Sequence, residues 1–416
     1  MARQSIRAAA CAAVLLAGCA APGTTGSSHG RWVASWGTAQ MLPGAEHELA
    51  SAQWRDATLR QVMRVSLGGE RLRVRFSNAF GTEPLVIGGA SIALSSGPGR
   101  SVIEPGSSRP LRFGGAASVT IPAGTEYLSD PVDLVHRAGS DLAVSIHYPD
   151  APSRQTSHPG ARATSFIAPG QHLAASELPG ASSFTRWYQL AGIEVEAAPG
   201  THAVVAIGDS ITDGYGVAPD TNLRWTDGLA ARLRQAGMTG VGVINAGIGG
   251  GRLLRDGLGP NLASRFARDV LERPGVRHAI VLIGVNDFGN LHRNADDSPA
   301  ARAQLLLDMQ EALRQSVARA HARGVCVIGA TITPYAGSAY YHPKAPNEQD
   351  RQAYNDWIRG SGVFDGVIDF DAALRDPRRP DHLRKDYDND GLHPNMAGYR
   401  AMAEAVPLDL LKDCRR

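Results

Sequence analysis

The feature that most constrains the fold of this chain is a change in hydrophobic periodicity near residue 200. Before it, apolar residues alternate with polar ones in short runs, as in Leu142, Val144 and Ile146, and Gly, Pro and Ser separate the runs. A period of two is typical of a β-strand with one buried face. Because no convincing long helix interrupts these runs, residues 31–197 predict an antiparallel β-sandwich or jelly-roll domain.

Two neighbouring runs in this part of the chain predict a specific pairing. Residues 60–67 and 71–76 both alternate, and Gly68-Gly69 lies between them. Alternating runs joined by a glycine turn are typical of a β-hairpin. We therefore predict a hairpin here, with one face buried and the other in water.

After residue 200 apolar strands alternate with helical stretches. Residues 203–207 and 279–283 are continuous apolar runs, and residues 300–323 have the period of a long amphipathic helix. This alternation predicts a parallel sheet covered on both faces over residues 201–416, with a linker near 197–200. The other expected elements are helices at 228–235, 262–271, 348–359 and 395–411 and strands at 240–244, 325–332 and 366–370.

The N-terminus has the pattern of a secretory signal. Two arginines precede an apolar run at residues 8–17, which is too short for a permanent membrane helix. The tetrapeptide Leu16-Ala17-Gly18-Cys19 resembles a bacterial lipobox, which implies removal of residues 1–18 and lipidation of Cys19. Residues 19–30 are then a flexible tether. We expect a lipid-anchored protein of the bacterial cell envelope, at the outer membrane, periplasmic or surface-exposed; the alternative is an ordinary signal with an incidental Cys19.

The charge and the cysteine content limit the binding partners and cofactors that the sequence supports. The net charge is +2, from 42 basic and 40 acidic side chains, which indicates neither nucleic acid nor an acidic surface as a partner. Cys326 lies in an apolar run and is interpreted as a core residue, while a disulfide with Cys414 is left open. No cysteine and histidine spacing indicates a metal, and no cofactor is expected.

Four polar clusters follow predicted strands, where the ligand site of such a sheet lies. They are Gly208-Asp209-Ser210-Ile211, the glycine block at residues 245–251, Gly284-Val285-Asn286-Asp287 and Asp390-Gly391-Leu392-His393. Acyl transfer needs a nucleophile, a base held by a carboxylate, and donors for the oxyanion. The spacing of Asp390 and His393 lets the carboxylate reach the imidazole across one turn. The clusters together therefore indicate a hydrolase.

Other interpretations apply to single clusters. Gly-Asp-Ser is also a common turn, and Asn286-Asp287 could be a helix cap. The glycine block could cradle a phosphate, although its spacing is not that of a nucleotide-binding loop. Residues 386–391 match the start of a calcium loop, but its twelfth position is Ala397 rather than Glu.

The four clusters, in this order, resemble the four blocks of the SGNH, or GDSL, hydrolases over roughly residues 203–405. The resemblance implies the flavodoxin-like fold of that family. It also implies that Ser210 is the nucleophile, His393 the general base and Asp390 the acid that orients it. The implied oxyanion donors are the backbone N–H groups of Ser210 and Gly250, with Gly249 as the alternative to Gly250, and the side chain of Asn286.

The sequence departs from the family pattern at one position, and three of its stretches resemble one branch of the family in particular. Position 251 is Gly where close relatives often carry Asn, which puts a side-chain contact there in doubt. The stretches 213–216, 246–250 and 329–334 look most like the arylesterase-like branch associated with xylan-degrading operons.

The function that follows is hydrolysis of short-chain esters through an acyl-enzyme, with acetylated polysaccharide as one candidate substrate. Transfer of the acyl group to a glycan, and lipase or arylesterase activity, are the enzymatic alternatives. A non-enzymatic alternative is a binding module in which Trp32, Trp36, Trp54 and Trp187 form a sugar-stacking face. We interpret these tryptophans instead as packing residues. The substrate and the oligomeric state are not predicted.

Overall fold

The computed structural model describes Met1 and residues 31–294 and 297–414. The predicted signal, Cys19 and the tether lie outside the described residues. Within them, no helix is both long and apolar enough to cross a membrane.

The regular structure of residues 31–197 consists of β-strands, apart from one short helix α1 (Ser51–Trp54) and a 3₁₀ turn (Ala45–His47). The strands are β1 (Arg31–Gly37), β2 (Ala57–Arg64), β3 (Gly69–Ser77), β4 (Leu85–Ile87), β5 (Gly89–Leu94), β6 (Arg109–Leu111), β7 (Val119–Ile121), β8 (Glu126–Leu128), β9 (Val132–His136), β10 (Asp141–Tyr148), β11 (Ser157–His158), β12 (Ser165–Pro169), β13 (Ser182–Phe184), β14 (Trp187–Tyr188) and β15 (Leu190–Ala197).

These strands form two main antiparallel sheets. One has the order β1-β15-β3-β8, with β9 also paired to β3, and the other has the order β13-β12-β2-β10-β5-β6. The pairs β11-β14 and β4-β7 are separate. The predicted antiparallel β-rich fold of this region is confirmed.

The predicted hairpin over residues 60–76 is wrong. Strands β2 and β3 belong to different sheets, because the intervening loop carries the chain from one sheet to the other. Neither face of strand β2 is exposed to solvent. The Arg60 side chain is buried and donates to the carbonyls of Ser101 and Ala175, at 2.6 and 2.8 Å. Alternation shows that each strand has an apolar face, but it does not identify the partner strand.

From residue 202 the chain forms an α/β layer. Its strands are β16 (His202–Gly208), β17 (Val241–Gly247), β18 (Val276–Leu282), β19 (Cys326–Ala330) and β20 (Gly366–Ile368), followed by the pair β21 (Arg375–Asp376) and β22 (Arg379–Leu383). Its helices are α2 (Ser210–Asp213), α3 (Trp225–Gln235), α4 (Leu262–Phe266), α5 (Val285–Arg293), α6 (Pro299–His321), α7 (Ala345–Gly360), α8 (Phe370–Leu374) and α9 (Met396–Ala405).

Strands β16 to β20 are parallel in the order β17-β16-β18-β19-β20, the 2-1-3-4-5 order of flavodoxin-like sheets. The predicted fold class is confirmed. Two predicted helices are α-helical over only part of their predicted length. The helix after Asn261 continues as a π turn (Ala267–Leu271), and the last helix ends before Pro407, which starts a 3₁₀ turn (Leu408–Leu411).

The two regions pack on each other. The edge strand β17 lies against the N-terminal region, where the Val243 N–H donates to Ser66 Oγ at 2.9 Å. Buried apolar residues of both regions form one continuous core, and Arg31–Arg416 form one compact unit. The division into domains at 197–201 therefore separates the sheets but not their cores, and it stays a prediction.

Two open points of the sequence are resolved by the packing. Cys326 at the start of β19 forms a disulfide with Cys414, with Cα atoms 5.7 Å apart. Trp36, Trp54 and Trp187 are buried, and Trp36 meets Trp187 edge to face at 4.9 Å. These three side chains therefore pack in the core and do not form a sugar-stacking face.

Candidate active site

The turn after β16 presents Ser210. Gly208 ends the strand in a tight space, because a Cβ there would lie 2.3 Å from the Leu282 carbonyl oxygen. Asp209 caps α2, and its carboxylate accepts the Ile211 N–H at 2.9 Å. Ser210 is the first helical residue, so its hydroxyl lies beyond the carboxyl end of the central strand.

The structure brings Ser210 together with His393 and Asp390. The Ser210 Oγ lies 2.8 Å from His393 Nε2, and His393 Nδ1 lies 2.9 Å from Asp390 Oδ2. With the Nδ1–H donated to the carboxylate, Nε2 is free to accept the hydroxyl proton. Burial raises the pKa of Asp390, but hydrogen bonds from the ring and backbone of His393 outweigh it and lower that pKa to about 2. Asp390 is therefore ionised at every pH at which the His393 imidazole acts as a base.

The segment interpreted alternatively as a calcium loop is a turn that holds this pair. Asp388 accepts the Gly391 N–H at 2.6 Å, and Gly391 has a φ of +78°. Asp390 also accepts the His393 N–H at 2.8 Å, so its oxygens are occupied by protein donors. Asn395 then caps α9. These bonds orient the acid and the base.

The expected oxyanion donors lie around Ser210. The N–H groups of Ser210 and Gly250 donate to no other described residue. Gly250 has a φ of +66°, which favours glycine, and the next residue, Gly251, would place a Cβ 3.5 Å from the Asp209 Cα. The glycine block therefore lies directly against the Ser210 turn. Asn286, at the start of α5, donates one amide N–H to the Gly251 carbonyl at 2.7 Å and retains a second.

Sequence reasoning missed Tyr341, which orients Asn286. The buried Tyr341 hydroxyl donates to Asn286 Oδ1 at 2.7 Å, and this bond fixes which side of the amide carries the N–H groups. Burial raises the pKa of this hydroxyl, so it remains a donor. No local motif marks Tyr341, which lies 55 residues from Asn286 in the sequence.

Two aspartates beneath the site are buried with raised pKa values. Burial raises the pKa of Asp209 to about 7, with a further rise from the nearby Asp287. Burial also raises the pKa of Asp287 to about 6, although it accepts the N–H groups of Leu253 and Leu254. The carboxylate of Asp287 thereby ties α5 to the loop that follows the glycine block.

Asp287 should make the stability of the fold pH-dependent. Its pKa is about 3.9 in the unfolded chain and about 6 in the folded one, so the folded state binds more protons between these values. The free energy of unfolding of the wild type, relative to Asp287→Asn, should therefore fall by about 2–3 kcal/mol as the pH rises from 4 to 7. Urea unfolding across this range measures it. Asp308→Asn, which removes an exposed carboxylate, is the control, and parallel curves for wild type and Asp287→Asn would contradict the assignment.

A buried contact joins the N-terminal region to the helix of the nucleophile. His158 in β11 lies with Nε2 2.9 Å from Asp213 Oδ1, and its Nδ1 lies 2.8 Å from the Ala39 carbonyl oxygen. Asp213 is the last residue of α2, three positions after Ser210. Nothing in the sequence pattern paired these residues. The contact shows that the N-terminal region helps to position α2.

Residues 206–401 match the model of the GDSL-like Lipase/Acylhydrolase family. The structure is similar to the acetylxylan esterase Axe2 from Geobacillus stearothermophilus, at 19% identity, with 49% of this chain and 91% of the other covered and a TM-score of 0.38. It is also similar to a GDSL-like lipase from Bacteroides thetaiotaomicron, at 19% identity, with 50% and 88% covered and a TM-score of 0.37. No curated protein matches the chain.

Proposed function

We propose that this chain is an ester hydrolase that cleaves short-chain carboxylic esters through an acyl-enzyme on Ser210. The match of residues 206–401 to the GDSL-like Lipase/Acylhydrolase model supports the proposal. The observation that carries the proposal is the unbroken chain of contacts from the Ser210 hydroxyl through His393 to Asp390, at 2.8 and 2.9 Å. It supplies a nucleophile, a base and an orienting acid in one line.

The chemistry takes two steps. Ser210 Oγ attacks the ester carbonyl carbon while its proton passes to His393 Nε2. The tetrahedral oxyanion lies against the N–H groups of Ser210, Gly250 and Asn286. The carbon–oxygen bond to the alcohol then breaks, and His393 gives its proton to the departing oxygen. Water adds to the acyl-enzyme by the same route, which releases the acid and restores Ser210.

The surroundings of the oxyanion side favour a short acyl group. A groove of about 720 Å³ adjoins Asp287 and Asn290, and Asn290 donates to the Asn286 carbonyl at 2.7 Å. Its lining includes the charged and amide side chains of Arg252, Arg255, Asn294 and Gln304 beside the apolar side chains of Leu254, Leu291 and Leu305. A long alkyl chain placed there would bury polar groups without partners, which is costly.

Acyl preference can be measured directly. Rates with p-nitrophenyl esters of two to twelve carbons should fall steeply beyond about four carbons, and acetylated xylan tests whether a polysaccharide is accepted. Adding a glycan acceptor and analysing the products separates hydrolysis from transfer. Highest rates on long-chain esters would contradict the short-chain proposal.

Asn286→Ala should lower kcat by about a hundredfold to a thousandfold, because one of three oxyanion donors is lost in the transition state. The change should appear in kcat more than in KM, since the ground-state carbonyl binds this donor weakly. Steady-state kinetics with p-nitrophenyl acetate measures it.

Tyr341→Phe provides the control for this prediction. If the hydroxyl acts by orienting Asn286, its removal should lower kcat in the wild type but have little further effect in the Asn286→Ala background. Additive losses in the double variant would contradict that role.

The lipid anchor on Cys19, a place in the bacterial envelope and the arylesterase-like branch remain proposals. The lipobox pattern supports the first two, and the residue stretches described above support the third. A polysaccharide substrate would fit an enzyme held at the cell surface.

A further inference from the structure

Arg162 stands out in the loop that the N-terminal region places over the catalytic turn. Its backbone φ is +49°, in the left-handed region that a long side chain rarely adopts. The strain is held by a hydrogen bond from the Asp220 N–H to the Arg162 carbonyl at 2.9 Å. Asp220 in turn accepts the N–H and hydroxyl of Thr164, at 2.7 and 2.6 Å. Strain that the surroundings maintain in this way often marks a functional position.

The side chain of Arg162 lies one aromatic ring from the general base. Its guanidinium carbon is 5.4 Å from the centre of the Tyr215 ring, and the Tyr215 ring is 4.2 Å from the His393 ring, tilted by 33°. Tyr215 is 45% exposed, so this stack opens to solvent beside the imidazole. The guanidinium is thus delivered by the N-terminal region to the edge of the catalytic site.

The charge of Arg162 is not balanced within the described part of the chain. No carboxylate there forms an ion pair with it, and its Nε is buried without a hydrogen-bond partner. The carboxylate of Asp220 accepts hydrogen bonds from Thr164, while Asp213 pairs with His158 and Asp390 with His393. The buried Nε is closed to a ligand, but the two terminal nitrogens of the guanidinium are not among the buried atoms and can donate to one.

The position of Arg162 relative to His393 determines which part of the ester Arg162 can contact. His393 Nε2 returns its proton to the departing alcohol, so the alcohol must leave on the His393 side, away from the oxyanion donors. Tyr215 and Arg162 extend the site on that side. One guanidinium balances one negative charge and matches the planar geometry of a carboxylate.

We propose that Arg162 is a specificity-determining residue that binds a carboxylate on the alcohol moiety of the ester, with Tyr215 as the ring on which that moiety stacks. The inference rests on the proposed function and extends it to a substrate class, esters of carboxylate-bearing alcohols such as acidic sugars. The N-terminal region then contributes directly to substrate choice.

The test compares two acetate esters that differ in charge and by one methyl group, 4-acetoxybenzoate and its neutral methyl ester. The measured quantity is the ratio of their kcat/KM values, in which differences in chemical reactivity cancel between variants. Arg162→Gln should lower the ratio at least tenfold, through a higher KM for the anionic ester, and Arg162→Lys should recover part of it. Arg154→Gln removes an exposed arginine of the same region and should leave the ratio as in the wild type.

The outcomes distinguish the role of Arg162 in substrate choice from the proposed ester hydrolysis by Ser210. A ratio in Arg162→Gln within twofold of the wild type overturns the role of Arg162, as does a fall that Arg154→Gln reproduces. Added salt should lower the wild-type ratio but not that of Arg162→Gln, which a structural defect would not explain. Ser210-dependent turnover of the neutral ester tests the proposed function alone, so it can stand when the inference fails.

Discussion

Ser210→Ala is expected to reduce ester turnover to background, a loss of about 10⁴-fold or more in kcat, because no other group in the site can form the acyl-enzyme. Ser210 is 5% exposed and its hydroxyl lies 2.8 Å from His393 Nε2, so the alanine removes the attacking atom and leaves the surrounding bonds in place. The measurement is hydrolysis of p-nitrophenyl acetate, with thermal unfolding to show that the fold is retained. Ser153→Ala, at an exposed serine, serves as the matched control.

The same variant permits a direct test of the covalent step. A fluorophosphonate that labels activated serines should add its mass to the peptide containing Ser210 in the wild type. The label should be absent from Ser210→Ala. Undiminished turnover by Ser210→Ala, or labelling at another serine, would overturn the assignment of the nucleophile.

Asp390→Asn is expected to lower kcat by about 10³- to 10⁴-fold while the protein stays folded. The amide can donate to His393 Nδ1, which moves the ring proton to Nε2 and removes the acceptor for the Ser210 hydroxyl. The asparagine oxygen can still accept the His393 N–H, which Asp390 accepts at 2.8 Å, so the turn should persist. Steady-state kinetics measures the loss.

Asp388→Asn is the control within the same turn. Its amide oxygen can keep the bond to the Gly391 N–H, and the residue does not contact the imidazole. We expect a loss of about tenfold or less. Equal losses in the two variants would show that the turn, rather than the orientation of His393, controls the rate.

Much of this site was predictable because its parts are local in the sequence. Ser210 follows an apolar strand, and the Asp390–His393 spacing lets a carboxylate reach a ring across one turn. Parallel strands bring their carboxyl ends to one edge of the sheet, so clusters that follow successive strands meet there. The order of strands and helices likewise follows from short-range hydrophobic periods.

Residues whose roles depend on distant partners were not predictable. Tyr341 orients Asn286 across 55 positions, and His158 reaches Asp213 across 55. A tyrosine or a histidine in a loop has no pattern that names its partner. The hairpin expected over residues 60–76 failed for the same reason, since alternation does not encode which strands pair.

The sequence by itself determined the order of the four polar clusters, the two hydrophobic periods and, with them, the class of fold and chemistry. These are properties of short segments, set by side-chain type and spacing. Only the tertiary structure decided that the N-terminal region packs on the edge of the parallel sheet and delivers His158 and Arg162 to the site. That arrangement depends on contacts between segments far apart in the chain, which form only when both regions fold around one continuous core.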